Sequence, residues 1–208
     1  MLDAAARRVL DAPLGRLAAG LDRPGVTPDR LTGLGLALGL GSAVTAALQL
    51  WAVALVLWLV SRLADGLDGP LARRRRARGA PGDAGSGGFF DITADFCVYG
   101  TTVVGVAIGA ARGHGAPVWP FLLVLLAYYV NGTAFLAFSS IAERSGRRLD
   151  DGRSLSFLGG LAEGTETIVV HSLWLLLPQH ADVVAGCWAA LVALSAGQRV
   201  VAGYRALR

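Results

Sequence analysis

The chain has 208 residues, 54% of them apolar and only 16% charged, with a formal net charge of +4. A soluble domain carries about 25% charged residues, so this composition excludes an ordinary water-soluble enzyme and makes a lipid bilayer the main solvent. The positive charge is all arginine, in short patches beside apolar runs. That pattern excludes nucleic acid as a partner, since no extended basic face is available.

Residues 1–30 open the chain. Leu2, Val9, Leu10, Leu14, Leu17 and Leu21 recur at helical spacing, and Arg7, Arg8, Arg16 and Arg23 interrupt any apolar leader. The expectation is a short amphipathic helix lying on the membrane surface as an N-terminal interfacial segment. Crossing the hydrocarbon core takes about 20 mainly apolar residues. Residues 31–50, 52–73, 89–111, 118–141, 158–177 and 183–202 meet that need. They predict an all-α integral membrane protein, with one domain over 1–208 and a six-helix transmembrane bundle over 31–208. A turn around Gln49–Trp51 joins the first two spans, and Gly82, Gly85, Gly87 and Gly88 mark a flexible connection before the third.

Arginine distribution orients the spans. With both termini in the cytoplasm, the arginines of 7–30, 73–78, 144–153 and 205–208 all lie inside, and only Arg112 lies outside. Arginine without lysine in an Ala- and Gly-rich chain reads as a bacterial, GC-rich genome, so the inner membrane is the expected location. Trp51, Trp119 and Trp174 are expected as outer-interface anchors. Cys97 and Cys187 fall in separate apolar runs without metal-type spacing and are expected to be inert packing residues. Asn131, Tyr128 and Tyr129 are expected to bond across helices.

Four carboxylates break the apolar pattern. Asp65 and Asp68 are three apart near the end of the second span, and Asp91 and Asp95 are four apart at the start of the third. Either spacing places a pair on one helix face, and the two faces can meet because the spans are joined at that end. Asp65 lies 14 residues past Trp51, roughly 21 Å along a helix at ~1.5 Å per residue and still within a ~30 Å hydrocarbon layer. Each buried Asp costs about 2.5–3.5 kcal/mol near a helix centre, so the cluster needs a strong cation. Arg62 and Arg73 compensate only half of it. An all-carboxylate oxygen site suits hard cations such as Mg²⁺, Mn²⁺ or Ca²⁺, and four carboxylates could hold two ions. An ion-paired helix pair without metal is the alternative.

Read in order, Asp65, Asp68, Gly69, Ala72 and Arg73, then Gly87, Asp91 and Asp95, resemble the D-x2-D-G-x2-A-R…G-x3-D-x3-D signature of the CDP-alcohol phosphatidyltransferase family. The spacer between Arg73 and Gly87 has 13 residues, longer than the family's usual one, and "TPDRLTGLGL" resembles its P-N-x-x-T motif with Asp29 in place of Asn and Thr32 retained. The resemblance implies six membrane helices, often dimeric, around a polar cavity open to the cytoplasm. It implies that Asp65, Asp68, Asp91 and Asp95 bind two divalent ions and that Asp95 is also the general base. Thr32, Gly69, Ala72, Arg73 and Gly87 would then bind the CDP-linked lipid donor, and CMP would be released as the phosphatidyl group passes to a small alcohol or polyol.

In the second half, Glu163 and Glu166 are three apart near the cytoplasmic end of the fifth span. They are candidates for acceptor binding, as are Arg147, Arg148 and Arg153. The glutamates favour a polyol or amino alcohol and the arginines a phosphorylated acceptor. His171 is expected to be a packed or lipid-facing residue. An enzyme transferring the phospho-amino-alcohol group of a CDP-amino-alcohol to diacylglycerol, with release of CMP, is the alternative within the family. A polytopic cation transporter is the alternative outside it, but "AVALVLWL" and "LLVLLA" leave the outer halves of two spans without a polar path.

Overall fold

The computed structural model describes residues 2–80, 85–145 and 162–208, with side chains from residue 9 onward. Among these residues there are seven α-helices and no strand. They are α1 (Leu2–Leu21), α2 (Pro28–Ala47), α3 (Trp51–Ala77), α4 (Ser86–His114), α5 (Trp119–Arg144), α6 (Gly164–Leu176) and α7 (Ala181–Leu207). A 3-10 turn at Pro178–His180 leads into α7. The described part of the expected fifth span begins at Ala162, just before α6; residues 158–161, with Arg147, Arg148 and Arg153, lie outside the described residues.

Helix ends follow local chemistry. Thr27 caps α2 by accepting the Arg30 N–H at 3.2 Å, Pro28 sits where no N–H is needed, and Asp29 occupies the positive end of the helix dipole. Gly85 (φ 99°) precedes α4 and Gly115 (φ 66°) closes it in the left-handed conformation that favours glycine. The second span runs on to Ala77, past the expected stop at Arg73.

Side-chain bonds fix how α2 meets α3. Ser42 Oγ donates to Ala54 O at 2.8 Å, Ser61 Oγ to Gly35 O at 2.6 Å, and Thr32 Oγ1 to Asp68 at 2.5 Å. Partner numbers rise on one helix as they fall on the other, so the pair is an antiparallel hairpin. Against α4 the register runs in parallel, with Gly39 on Val98, Ala43 on Gly105 and Ala46 on Gly109. A methyl group at 105 or 109 would overlap the carbonyl of Ala43 or Ala46, so glycine lets these backbones touch. Therefore α3 and α4 are antiparallel, and the C-terminal end of one lies beside the N-terminal end of the other. Helix α5 packs mainly on α7, while α6 touches α3, α4 and α7. Trp58, Val98, Val106, Phe121, Trp174 and Trp188 form the centre of the core.

The outer surface is apolar, with Val44, Val56, Leu122, Leu126 and Leu194 all exposed. Four segments are long and apolar enough to cross a bilayer: α2, α4, α5 and Pro178–Leu207. Helix α3 is long enough but carries the acids and arginines, and the described part of α6 has 13 residues.

Helix α1 docks through Leu14, Ala18 and Leu21 onto Val26, Leu31, Leu67 and Leu71. Beside it, Asp22 collects three guanidinium groups from the end of α3: Arg74 at 3.2 Å, Arg75 at 3.2 Å and Arg78 at 2.6 Å. The hydrogen bond from Arg75 leads in holding the Asp22 carboxyl below its ordinary value. Thus part of the arginine patch is bound to the protein itself.

Several expectations need correction. Trp174 is fully buried against Phe121, so it anchors no interface, whereas Trp119 is exposed. Cys97 and Cys187 face outward instead of packing inside. Buried Asn131 Oδ1 has no hydrogen-bond partner among the described residues. Glu163 stands at the N-cap position of α6 in extended backbone (φ −121°, ψ −173°), so the helix carrying Glu166 starts one residue after it and not at 158, where the span was expected to begin.

Candidate functional site

The hairpin geometry brings the acids of α3 and α4 together. Asp65, Asp68 and Asp91 each present a carboxylate oxygen, and these oxygens lie within 4.8 Å of one another. Metal–oxygen bonds of about 2.1–2.4 Å can link oxygens up to twice that distance apart, so this donor set fits a hard divalent cation. Asp68 is buried and accepts the Thr32 hydroxyl, which ties the cluster to α2. Asp65 and Asp91 are half-buried and leave one side of the cluster accessible.

Asp95 is engaged differently. Its Oδ1 accepts Arg62 Nη1 at 2.6 Å, and the same nitrogen is 3.7 Å from Asp65 Oδ2. The guanidinium carbon lies 5.2 Å from the centroid of the Trp58 ring and 5.1 Å from that of Tyr99. Nη2 donates to Ser61 Oγ at 3.1 Å. One buried arginine thus meets two of the four acids.

The remaining signature positions surround this cluster. Gly69 and Ala72 are half-buried on α3, and a Cβ at 69 would meet Arg73 Nη1 at 3.4 Å, an ordinary contact distance. Arg73 is 65% exposed, with Asp11 of α1 at 4.0 Å. Gly87 lies in the first turn of α4. Glu166 lines an apolar cleft with Val169, Val170, Val184, Cys187, Trp188 and Leu191, a cleft that contains none of the four aspartates.

His171 is fully buried and stacked on Trp58, with ring centroids 4.8 Å apart. Its Nε2 is 2.9 Å from the Tyr128 hydroxyl, which accepts Trp188 Nε1 at 2.7 Å. Trp58 Nε1 donates to Ser172 Oγ at 3.1 Å. Through these contacts α5, α6 and α7 support the wall carrying Arg62. Sequence reasoning weighed Arg62 as a counter-ion without identifying Asp95 as its partner. The signal was its place one turn before Asp65.

The CDP-alcohol phosphatidyltransferase family profile matches residues 25–197. The "Inner membrane protein YnjF" of Escherichia coli (strain K12) is 38% identical over 193 residues, covering 90% of this chain and 88% of that protein. The fold is similar to the phosphatidylinositol phosphate synthase PgsA1 of Mycobacterium tuberculosis, at 23% sequence identity. With CDP-DAG bound, that structure gives a TM-score of 0.70 over 92% of this chain and 93% of its own. In complex with manganese and citrate, it gives 0.68 over 92% and 88%.

Proposed function

Because the chain belongs to the CDP-alcohol phosphatidyltransferase family, we propose that it transfers a phosphatidyl group from CDP-diacylglycerol to the hydroxyl of a small polar alcohol and releases CMP. The observation that carries this reading is the convergence of Asp65, Asp68 and Asp91 from two helices onto one cation-sized space. The reaction belongs at the cytoplasmic face of the inner membrane. A multi-pass protein of six spans, with both termini inside, accounts for the arginine asymmetry. The name of the E. coli relative supports the location. A homodimer is the assembly that the family resemblance implies.

Asp65, Asp68 and Asp91, with Asp95 completing the set, would hold the divalent metal, and Mg²⁺ or Mn²⁺ ions, two in the fullest arrangement, would neutralise the donor diphosphate and the departing CMP. Arg73 adds a flexible positive charge beside that diphosphate. Gly69, Ala72 and Gly87 leave space for the nucleotide, and Thr32 fixes the rotamer of Asp68. Asp95 takes the proton from the acceptor hydroxyl. As that oxygen bonds to the phosphorus carrying the diacylglycerol, the bond from this phosphorus to the bridging oxygen breaks, and CMP leaves with the electron pair. The proton on Asp95 then passes to water. Glu163 at the head of α6, with Glu166, Arg148 and Arg153 by sequence, is proposed on the acceptor side.

The test uses the purified full chain with CDP-diacylglycerol, Mn²⁺ and a pool of glycerol phosphate, inositol, inositol phosphate, serine and glycerol. Asp95→Asn is expected to lower CMP release by about 10²–10⁴-fold, the usual worth of a general base, while Mn²⁺ and donor still bind. A variant that kept most of the rate would remove Asp95 from the base role.

A further inference from the structure

Arg62 lies outside the eight signature positions, yet it is the most constrained charged side chain in the site. It is 7% exposed and held from several sides. The rings of Trp58 and Tyr99 stack on it, and Ser61 accepts from Nη2 while donating to the α2 carbonyl of Gly35. Trp58 is itself fixed by Ser172 and by the ring of His171. Tyr99 lies one helical turn beyond Asp95, so α4 contributes both a ring and a carboxylate to the same guanidinium. Such a cation is a fixed part of the wall, unlike the exposed Arg73.

We infer that Arg62 is the positioning residue for the proton-accepting carboxylate: it holds Asp95 by one oxygen beside the Asp65, Asp68 and Asp91 set and so orients that acid as the base. The inference rests on the reading of Asp95 as base given above. The contact engages Oδ1 of Asp95, and the carboxylate's second oxygen is the one assigned to receive the acceptor's proton. The guanidinium also offsets one of the four negative charges, and it lies 3.7 Å from Asp65. It therefore opposes cation binding at the acids while it aligns the base. Those two effects have opposite signs in a variant, which separates this role from a merely structural one.

In Arg62→Met the aligning contact and the competing charge disappear together. Mn²⁺ alone, titrated into the full chain in detergent, should bind with an unchanged or lower Kd. CMP release in the alcohol pool should fall about a hundredfold, the scale of a misplacement near 1 Å. Arg62→Lys keeps the charge but not the two-armed geometry. It should retain the wild-type Mn²⁺ Kd with turnover between those of Met and wild type, and it carries the test if the Met variant does not fold. Combined with Asp95→Asn, Arg62→Met should cause no further loss, because the arginine acts through that carboxylate. Weaker Mn²⁺ binding in step with lost turnover would overturn the inference, as would wild-type turnover in both Arg62 variants. An active Asp95→Asn protein would instead defeat the base assignment itself, whatever the Arg62 variants do.

Discussion

Thr32→Val isolates one bond in the acid cluster. Thr32 Oγ1 donates to Asp68 Oδ2 at 2.5 Å, with Thr32 4% and Asp68 8% exposed. Valine preserves the branched shape but removes the hydroxyl, so packing on α2 changes little while Asp68 loses a donor in a place water reaches poorly. A hydrogen bond to a charged group contributes about 1.5–3 kcal/mol, which corresponds to roughly 10–150-fold in an equilibrium constant. Outer-shell partners of metal ligands typically change affinity by about 10–100-fold. The overlap gives the expectation: the Mn²⁺ Kd of Thr32→Val rises by about 10–100-fold, and Thr32→Ser restores most of it. Paramagnetic resonance of free Mn²⁺ during titration measures this directly, and thermal unfolding without metal checks that the variant is folded. A wild-type Kd in folded Thr32→Val would refute the idea that this hydroxyl orients a metal ligand.

Gly105→Val places a branched side chain against the Ala43 carbonyl where α2 and α4 touch. Overpacking costs about 1–3 kcal/mol and here meets backbone, so a clear fall in Tm is expected; an unchanged Tm would mean that the helices do not pack this closely. Asp22→Asn should lower Tm at neutral pH by loosening Arg74, Arg75 and Arg78. Because the Asp22 carboxyl titrates below its ordinary value in the folded chain, its contribution is full above about pH 3.9 and fades as pH falls through the lower folded value. The gap between wild type and variant should close on acidification, and equal Tm values at pH 7 would show that the clamp contributes nothing. Cys97 and Cys187 lie on the apolar outer surface of α4 and α7. A membrane-impermeant maleimide should label neither in intact vesicles and both after denaturation, and fast labelling in vesicles would place that helix surface outside lipid.

What the sequence made legible was whatever depends on spacing along one helix or on chain connectivity. Asp65 with Asp68, and Asp91 with Asp95, follow from three- and four-residue steps. Their meeting across two helices follows from the connection between the second and third spans, which joins them at the end that carries the acids. Rotation of each helix about its axis was not legible, because in a chain apolar on every side the hydrophobic pattern does not separate core from lipid. Trp174 therefore turned inward and the two cysteines outward against expectation. Side-chain partners that join distant elements were also out of reach. The pairing of Arg62 with Asp95 depends on rings from Trp58 and Tyr99, and the capture of Asp22 depends on α3 running a full turn past Arg73.

The account's central claim is metal-assisted phosphatidyl transfer, and CMP release tests it most directly. Purified full-length protein with CDP-diacylglycerol and the alcohol pool should release CMP when Mn²⁺ or Mg²⁺ is supplied. Release should cease with EDTA or in Asp68→Ala, and it should be accompanied by a new phospholipid whose headgroup names the acceptor. CMP release that persists without divalent metal, or its absence in protein that binds both Mn²⁺ and CDP-diacylglycerol, would contradict the account.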